Sequence, residues 1–173
     1  MRSACSKSSG SRCGPARASN EQAVANLIKS WNPDFIITTG DNNYPNGEAS
    51  NIDTNIGQFF HEYIYPYVGT FGQGATSNRF FPSIGNHDWP YGVWSLAPYL
   101  AYFTLPGNER YYSHRHGPVE LFAAVGDQQD PDGATPTSIQ AQWLSNALAS
   151  STAPWRGGYF HASPYSSGQL HGS

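Results

Sequence analysis

The sequence has 173 residues, of which 38% are hydrophobic, 14% aromatic and only 12% charged. That length fits one domain with a real core. The mixture of 11 Tyr, 5 Trp, 18 Gly and 13 Pro excludes a helical bundle or a disordered chain, leaving a loop-rich α/β or β-rich domain. A net charge of -3 with no basic stripe gives no footprint for nucleic acid, and no apolar run reaches membrane-spanning length.

Residues 1–19 differ from everything after them. Arg2, Lys7, Arg12 and Arg17 supply four of the nine basic residues, and no acid accompanies them. The stretch is rich in Ser, Gly and Ala, lacks periodicity, and lacks the apolar segment of a secretory signal. It reads as a disordered or non-native basic tail, with an Arg- and Ser-rich transit peptide as the other reading. Cys5 and Cys13 both lie there, so a bridge between them would not staple the core. The compartment stays open; a composition rich in aromatics, Asn, Gly and Ser but poor in charge suits a secreted or extracytoplasmic protein.

Asn20 to Trp31 is predicted helical. Asn20 serves as cap, Glu21 sits in the first turn, and Val24, Leu27, Ile28 and Trp31 recur at helical spacing. Asn32-Pro33 ends the helix. A short β-branched strand, Phe35 to Thr39, follows and runs into Gly40-Asp41-Asn42-Asn43-Tyr44. Pro45-Asn46-Gly47 is a turn. Ile52 to Tyr67 is a second helix, with His61 on its surface or satisfied in the core. A flexible loop over 69–78 leads to a second apolar strand, Arg79 to Ile84, which ends in Gly85-Asn86-His87-Asp88. The aromatics of 89–107 (Trp89, Tyr91, Trp94, Tyr99, Tyr102 and Phe103) are expected mainly to pack under a long loop rather than to line a pocket. Arg110 to His114 and Val119 to Val125 form a hairpin about His116-Gly117-Pro118. Pro136 to Ser150 is a helix capped by Thr137, with Ile139, Trp143, Leu144 and Leu148 on one face. Trp155 to Phe160 is a last short strand, and His161 follows it.

Three apolar runs thus end in polar side chains. In an open α/β sheet, ligands bind beyond the carboxyl ends of the strands. Each ending alone reads equally as a turn: Asp41 as a cap, Asn86 as an Asx-turn, His161 as a satisfied imidazole. Their recurrence, with the first two about forty-five residues apart, points to one shared site. Carboxylate, amide oxygen and imidazole suit Zn, Mn or Fe better than Ca or Mg. A carboxylate bridging two cations would clamp a phosphoryl group, with His87 protonating the leaving alkoxide and Asp88 orienting its ring.

Gly40-Asp41-Asn42-Asn43-Tyr44, Gly85-Asn86-His87-Asp88 and the His161 segment resemble three ordered motifs of the calcineurin-like metallophosphoesterases. A Tyr three residues after the Asp is similar to the purple acid phosphatase branch. The resemblance covers roughly residues 20 to 173. It implies an α/β fold, a two-sheet sandwich flanked by helices, and hydrolysis of a small-molecule phosphoester. It also implies two metal ions of the Fe, Zn or Mn type. Carried over, Asp41 is the bridging ligand, Asn86 and His161 bind one ion, and Tyr44 binds the other as a phenolate to Fe(III). His87 is the acid or transition-state stabiliser, and His171 lines the phosphate pocket.

Two departures accompany the resemblance. The family opens with a strand bearing a first Asp, where this chain has its basic tail, and closes with a Gly-His-x-His segment that this sequence does not reach. The expectation is a C-terminally truncated domain over 20–173 with four of the usual seven ligands, binding metal weakly and turning over slowly or not at all. Gly157-Gly158 sit oddly in a buried strand. Two other readings stand beside this one: a non-catalytic binding module on the same fold, and a serine hydrolase using Ser166 or Ser167 with His171. The latter lacks a nucleophile elbow.

Overall fold

Short β-branched and aromatic runs pair where both faces can be covered, and here they form two small sheets. In the computed structural model, backbone is described for residues 15–92 and 95–165, with side chains from residue 20. Cys5, Cys13, Trp94, Ser166, Ser167 and His171 lie outside these residues. The described chain falls into two compact units, one ending at Pro33 and the other beginning at Asp34.

The first unit is the helix α1, Pro15–Ser30. It starts earlier than the expected cap at Asn20, because Pro is tolerated in a first turn and nothing in Ala16 to Ser19 breaks a helix. The expected tail is therefore helical over 15–19. Val24, Leu27 and Trp31 share helical spacing yet are 57%, 53% and 68% exposed. Periodicity tells which side chains share a face; it does not supply the surface that would cover them.

In the second unit, β1 (Ile36–Thr38) pairs in parallel with β2 (Phe80–Pro82), matching Ile36 to Phe80 and Thr38 to Pro82. Both strands therefore discharge their loops at the same end. Between them runs a helical segment built of Ala49–Ile52, Asp53–Gly57, Gln58–Phe60 and His61–Tyr63, its second part a π turn. Asp53 in that turn accepts hydrogen bonds from Tyr67 Oη (2.6 Å), Tyr102 Oη (2.8 Å) and the Thr70 amide (2.9 Å), tying down the loop that follows. His61 Nδ1 is satisfied by the Gly57 carbonyl at 2.9 Å.

The other sheet has the order β3-β4-β5: β3 (Tyr112–His116), β4 (Val119–Ala123) and β5 (Trp155–Tyr159). β3 and β4 are an antiparallel hairpin turning at Gly117-Pro118, one residue tighter than expected, with Gly117 at φ 54. β4 and β5 run parallel and are joined through the helix Ile139–Ser150, so this part is a βαβ unit. Ser138, not Thr137, caps that helix, accepting from the Ala141 amide at 3.1 Å. Its predicted apolar face is only partly covered, since Ile139 is 62% exposed while Gln140 is buried. The Gln140 amide explains this: it answers the backbone of Val125 on both its oxygen and its nitrogen, at 2.7 and 3.0 Å. Gly157 and Gly158 are tolerated because β5 is the outer strand of its sheet and largely exposed.

The sheets meet through rings. Phe81 stacks on His114 at 3.9 Å and 8°, and Phe35 on His116 at 4.1 Å and 18°. Tyr99 and Tyr112 both donate to the Pro82 carbonyl, at 2.9 and 2.7 Å. Trp89, Tyr99, Tyr102 and Phe103 are buried as a packing cluster, whereas Tyr91 is exposed. The second unit is thus mixed α/β, with two small sheets and flanking helices. No helix among the described residues is long and apolar enough to cross a membrane.

Candidate metal centre

Parallel pairing of β1 and β2 brings the loops 40–44 and 85–88 side by side, and the β4–β5 pairing delivers His161 to the same place. Gly40 and Asp41 both have positive φ, 89° and 56°. The chain turns back sharply there, and Asp is among the few residues that accept this conformation. Room for the third element comes from glycine: a Cβ on Gly40 would lie 2.7 Å from His161 Cβ, and one on Gly85 2.9 Å from His161 Cγ.

The expected residues stand together. Asp41 Oδ1 lies 3.3 Å from His161 Nε2 and accepts the His87 amide at 2.9 Å. Asp41 Oδ2 accepts from Tyr44 Oη at 2.5 Å. His161 Nε2 is also 3.1 Å from Asn86 Oδ1, while its Nδ1 is 2.8 Å from the Thr39 carbonyl oxygen. A carbonyl only accepts, so Nδ1 carries a proton toward Thr39, and Nε2 is the ring nitrogen left facing the site. That nitrogen faces a carboxylate oxygen and an amide oxygen. His161 Nε2, Asp41 Oδ1 and Asn86 Oδ1 thus converge on one spot, the donor types a cation would take, although Asp41 also accepts from the His87 amide and Tyr44 Oη.

The sequence singled out four candidate donors but not what holds the loops that carry them. Asp88 is 1% exposed, and its two oxygens accept from the amides of Asn42 (2.9 Å), Asn43 (3.0 Å) and Gly85 (2.8 Å) and from Asn42 Nδ2 (3.0 Å). It thereby locks both loops to each other. Burial pushes its carboxyl up to about 6, opposed by the N–H groups that point at it. The group at the His87 ring is the Pro45 carbonyl, 2.5 Å from Nδ1, rather than Asp88, and the Tyr44 ring stands 4.4 Å away, tilted 38°. Asn42, also buried, donates from Nδ2 to the Ser83 carbonyl at 2.8 Å and accepts from Thr38 Oγ1. The only signal for Asn42 in the sequence was an Asn pair directly after a strand end.

Asp41, Tyr44, Asn86 and His161 could together hold a cation. They comprise one carboxylate, one phenol, one amide oxygen and one imidazole. Among the described residues no group of three or more His, Cys, Asp or Glu side chains gathers to hold a metal ion. His171 lies outside the described residues, so its place relative to this centre is not on view.

No curated protein matches the chain. The family model for calcineurin-like phosphoesterases does match, over residues 13–173. The family typically uses a dinuclear metal centre and acts on phosphoesters. The chain belongs to the calcineurin-like phosphoesterase family.

Proposed function

We propose that this protein is a metal-dependent phosphoesterase of the acid phosphatase kind, acting on phosphomonoesters at the centre built by Asp41, Tyr44, Asn86 and His161. The observation that carries this reading is the meeting of His161 Nε2 with Asp41 Oδ1 at 3.3 Å and Asn86 Oδ1 at 3.1 Å. A metal ion bound there would supply Lewis-acid polarisation of the phosphoryl oxygens and an acidified water.

The chain's own residues do the rest. Asp41 brings the negative charge and would be the ligand shared between two ions if a dinuclear centre forms. Thr39 holds the His161 ring in one tautomer, and Asp88 fixes the two loops against each other. His87 donates Nδ1–H to Pro45, which leaves Nε2 to carry a proton to the leaving oxygen. Tyr44, whose hydroxyl donates to Asp41 Oδ2 here, would lose that proton and serve as a phenolate ligand if the bound ion were Fe(III), the purple acid phosphatase variant of the site. By the family resemblance, His171, which lies outside the described residues, would contribute to phosphate binding. We take residues 20–173 as the catalytic domain.

The test is metal binding by calorimetry with Zn, Mn and Fe(III), alongside hydrolysis of p-nitrophenyl phosphate with and without chelator. The reading expects binding, and chelator-sensitive turnover, both reduced on the order of a hundredfold in Asp41→Asn. A visible charge-transfer band with Fe(III), lost in Tyr44→Phe, is expected of the phenolate ligand. Absence of any metal binding by the wild-type chain sinks the enzymatic reading and leaves a binding module.

A further inference from the structure

Side chains two residues apart on a helical turn point to nearly opposite sides, about 200° around the axis. The π turn Asp53–Gly57 uses both sides. Asp53 accepts from Tyr67, Tyr102 and Thr70, and the fit there is close: a Cβ on Gly57 or Gly69 would lie 2.1 or 1.9 Å from Asp53 Oδ1. Asn55 reaches the other way, to the loop that follows β1. Its Nδ2 donates to Asn43 Oδ1 at 2.9 Å and to the Tyr44 carbonyl at 2.6 Å. An amide nitrogen carries two hydrogens, and both are spent on this loop. Single π turns inside helices are frequent at functional sites.

The two acceptors differ in what they fix. Asn43 is already pinned: its Nδ2 donates to the Glu48 carbonyl at 2.8 Å and its backbone amide to Asp88 Oδ1 at 3.0 Å. The Tyr44 carbonyl belongs to the Tyr44-Pro45 peptide, which has no N–H, so the carbonyl is the only handle that this peptide offers. Asn55 holds it. The groups on either side of the peptide both meet His87. The Tyr44 ring stands 4.4 Å from the His87 ring, and the Pro45 carbonyl lies 2.5 Å from His87 Nδ1. Tyr44 Oη then reaches Asp41 Oδ2 at 2.5 Å. Asp41 and His161 have other anchors, the His87 amide and the Thr39 carbonyl, and Asp88 ties their loops together.

We infer that Asn55 is a positioning residue of the metal centre: by holding the Tyr44 carbonyl it sets the Tyr44 phenol against Asp41 and the His87 ring against Pro45. The inference rests on the reading of Asp41, Tyr44, Asn86 and His161 as a metal centre. Asn55 acts through the peptide that it holds, not by touching a donor atom of the centre. Losing it releases two rings and spares Asp41, Asn86 and His161. A leaving-group acid that is no longer aimed lowers turnover more than it weakens substrate binding.

The test uses the full chain and is read first without metal, by NMR at about pH 8, where free imidazole is neutral. The wild-type chain is expected to show a Tyr44–His87 ring NOE and a His87 imidazole protonated at Nδ1. Asn55→Leu, similar in size but without donors, is expected to weaken the NOE about twofold or more and return the ring to mixed tautomers. Its Zn affinity by calorimetry stays within about threefold of wild type, while kcat on p-nitrophenyl phosphate falls about tenfold at unchanged KM. Thr70→Val removes the hydroxyl that bonds Asp53 at 3.0 Å on the opposite side of the same turn, and is the control for lost stability alone. It should lower the melting temperature and move neither ring signal. If Asn55→Leu does not fold, Asn55→Asp decides, because it keeps the shape and sets a carboxylate against two acceptor oxygens. The inference is overturned if the folded Asn55 variant leaves both ring signals unchanged, or if Thr70→Val moves them as far. A wild-type chain that binds no Zn is the separate failure of the metal reading, and the ring signals, recorded without metal, still decide what Asn55 holds.

Discussion

Gly85 has no space for even a methyl group. A Cβ there would stand 2.3 Å from the Asp41 amide nitrogen and 2.4 Å from Asp41 Oδ1, and backbone cannot step aside as a flexible side chain can. Gly85→Ala should therefore push the two loops apart, costing about 2 kcal/mol of stability and removing metal affinity, as urea unfolding and calorimetry would show. Asp88→Asn probes the same junction from the other side. Whichever way the new amide turns, its NH₂ meets N–H donors from Asn42, Asn43 or Gly85. A loss on the order of 3 kcal/mol is expected, with normal helix content remaining. Asp88 also shows where residue-level reading stopped. Its place beside His87 in the sequence suggested a ring partner, but adjacency in a 3-10 turn does not make side chains face each other, and the carboxylate turned inward to the neighbouring loop.

At the level of elements, the strands and the larger helices were legible because apolar runs bounded by Gly, Asn and Pro leave little choice of conformation. Caps and registers were less so. Thr137 and Ser138 both qualify as caps by chemistry, and only the backbone decides. Ser138→Ala should lower stability by ~1 kcal/mol while Thr137→Ala is silent, which thermal unfolding would resolve. The β3–β4 hairpin holds a feature that no motif announced. His114 is buried against Phe81, its Nε2 is 3.3 Å from Tyr159 Oη, and its Nδ1 has no partner among the described residues. Burial, with His116 nearby, depresses its pKa to about 4. The unfolded chain takes up this proton near 6.5 and the folded chain does not until about 4. Stability is therefore lost as pH falls from 6.5 to about 4, by roughly 3 kcal/mol at most. His114→Phe should keep the stack on Phe81 and flatten this part of the pH profile, as urea melts at pH 7 and pH 4.5 would reveal.

Across the whole molecule, what the sequence lacked was distance. Asp41, Asn86 and His161 could be chosen by their place after apolar runs, yet nothing local indicates that β5 belongs to a different sheet from β1 and β2. The ring contacts between the sheets, made by Phe35, Phe81, His114 and His116, bring the strand ends together, and aromatic side chains carry no address in a sequence. α1 shows the same limit: its spacing is helical, yet Val24, Leu27 and Trp31 are exposed. A ligand that binds only the folded form raises its stability, by about 2.7 kcal/mol at a hundredfold excess over the dissociation constant. Zn or Mn should accordingly raise the melting temperature of the wild-type chain and leave that of Asp41→Asn unmoved, by scanning calorimetry with and without chelator.

The bond from His161 to the Thr39 carbonyl joins positions 122 residues apart, and the contact with Asn86 spans 75. An ion at their meeting point would act as a reversible crosslink across nearly the whole length of the second unit, where β5 is otherwise an outer strand held along one edge only. Amide hydrogen exchange should then slow over 155–161 when metal is added, ahead of any change elsewhere, and the tethered edge would fray first when the ion departs.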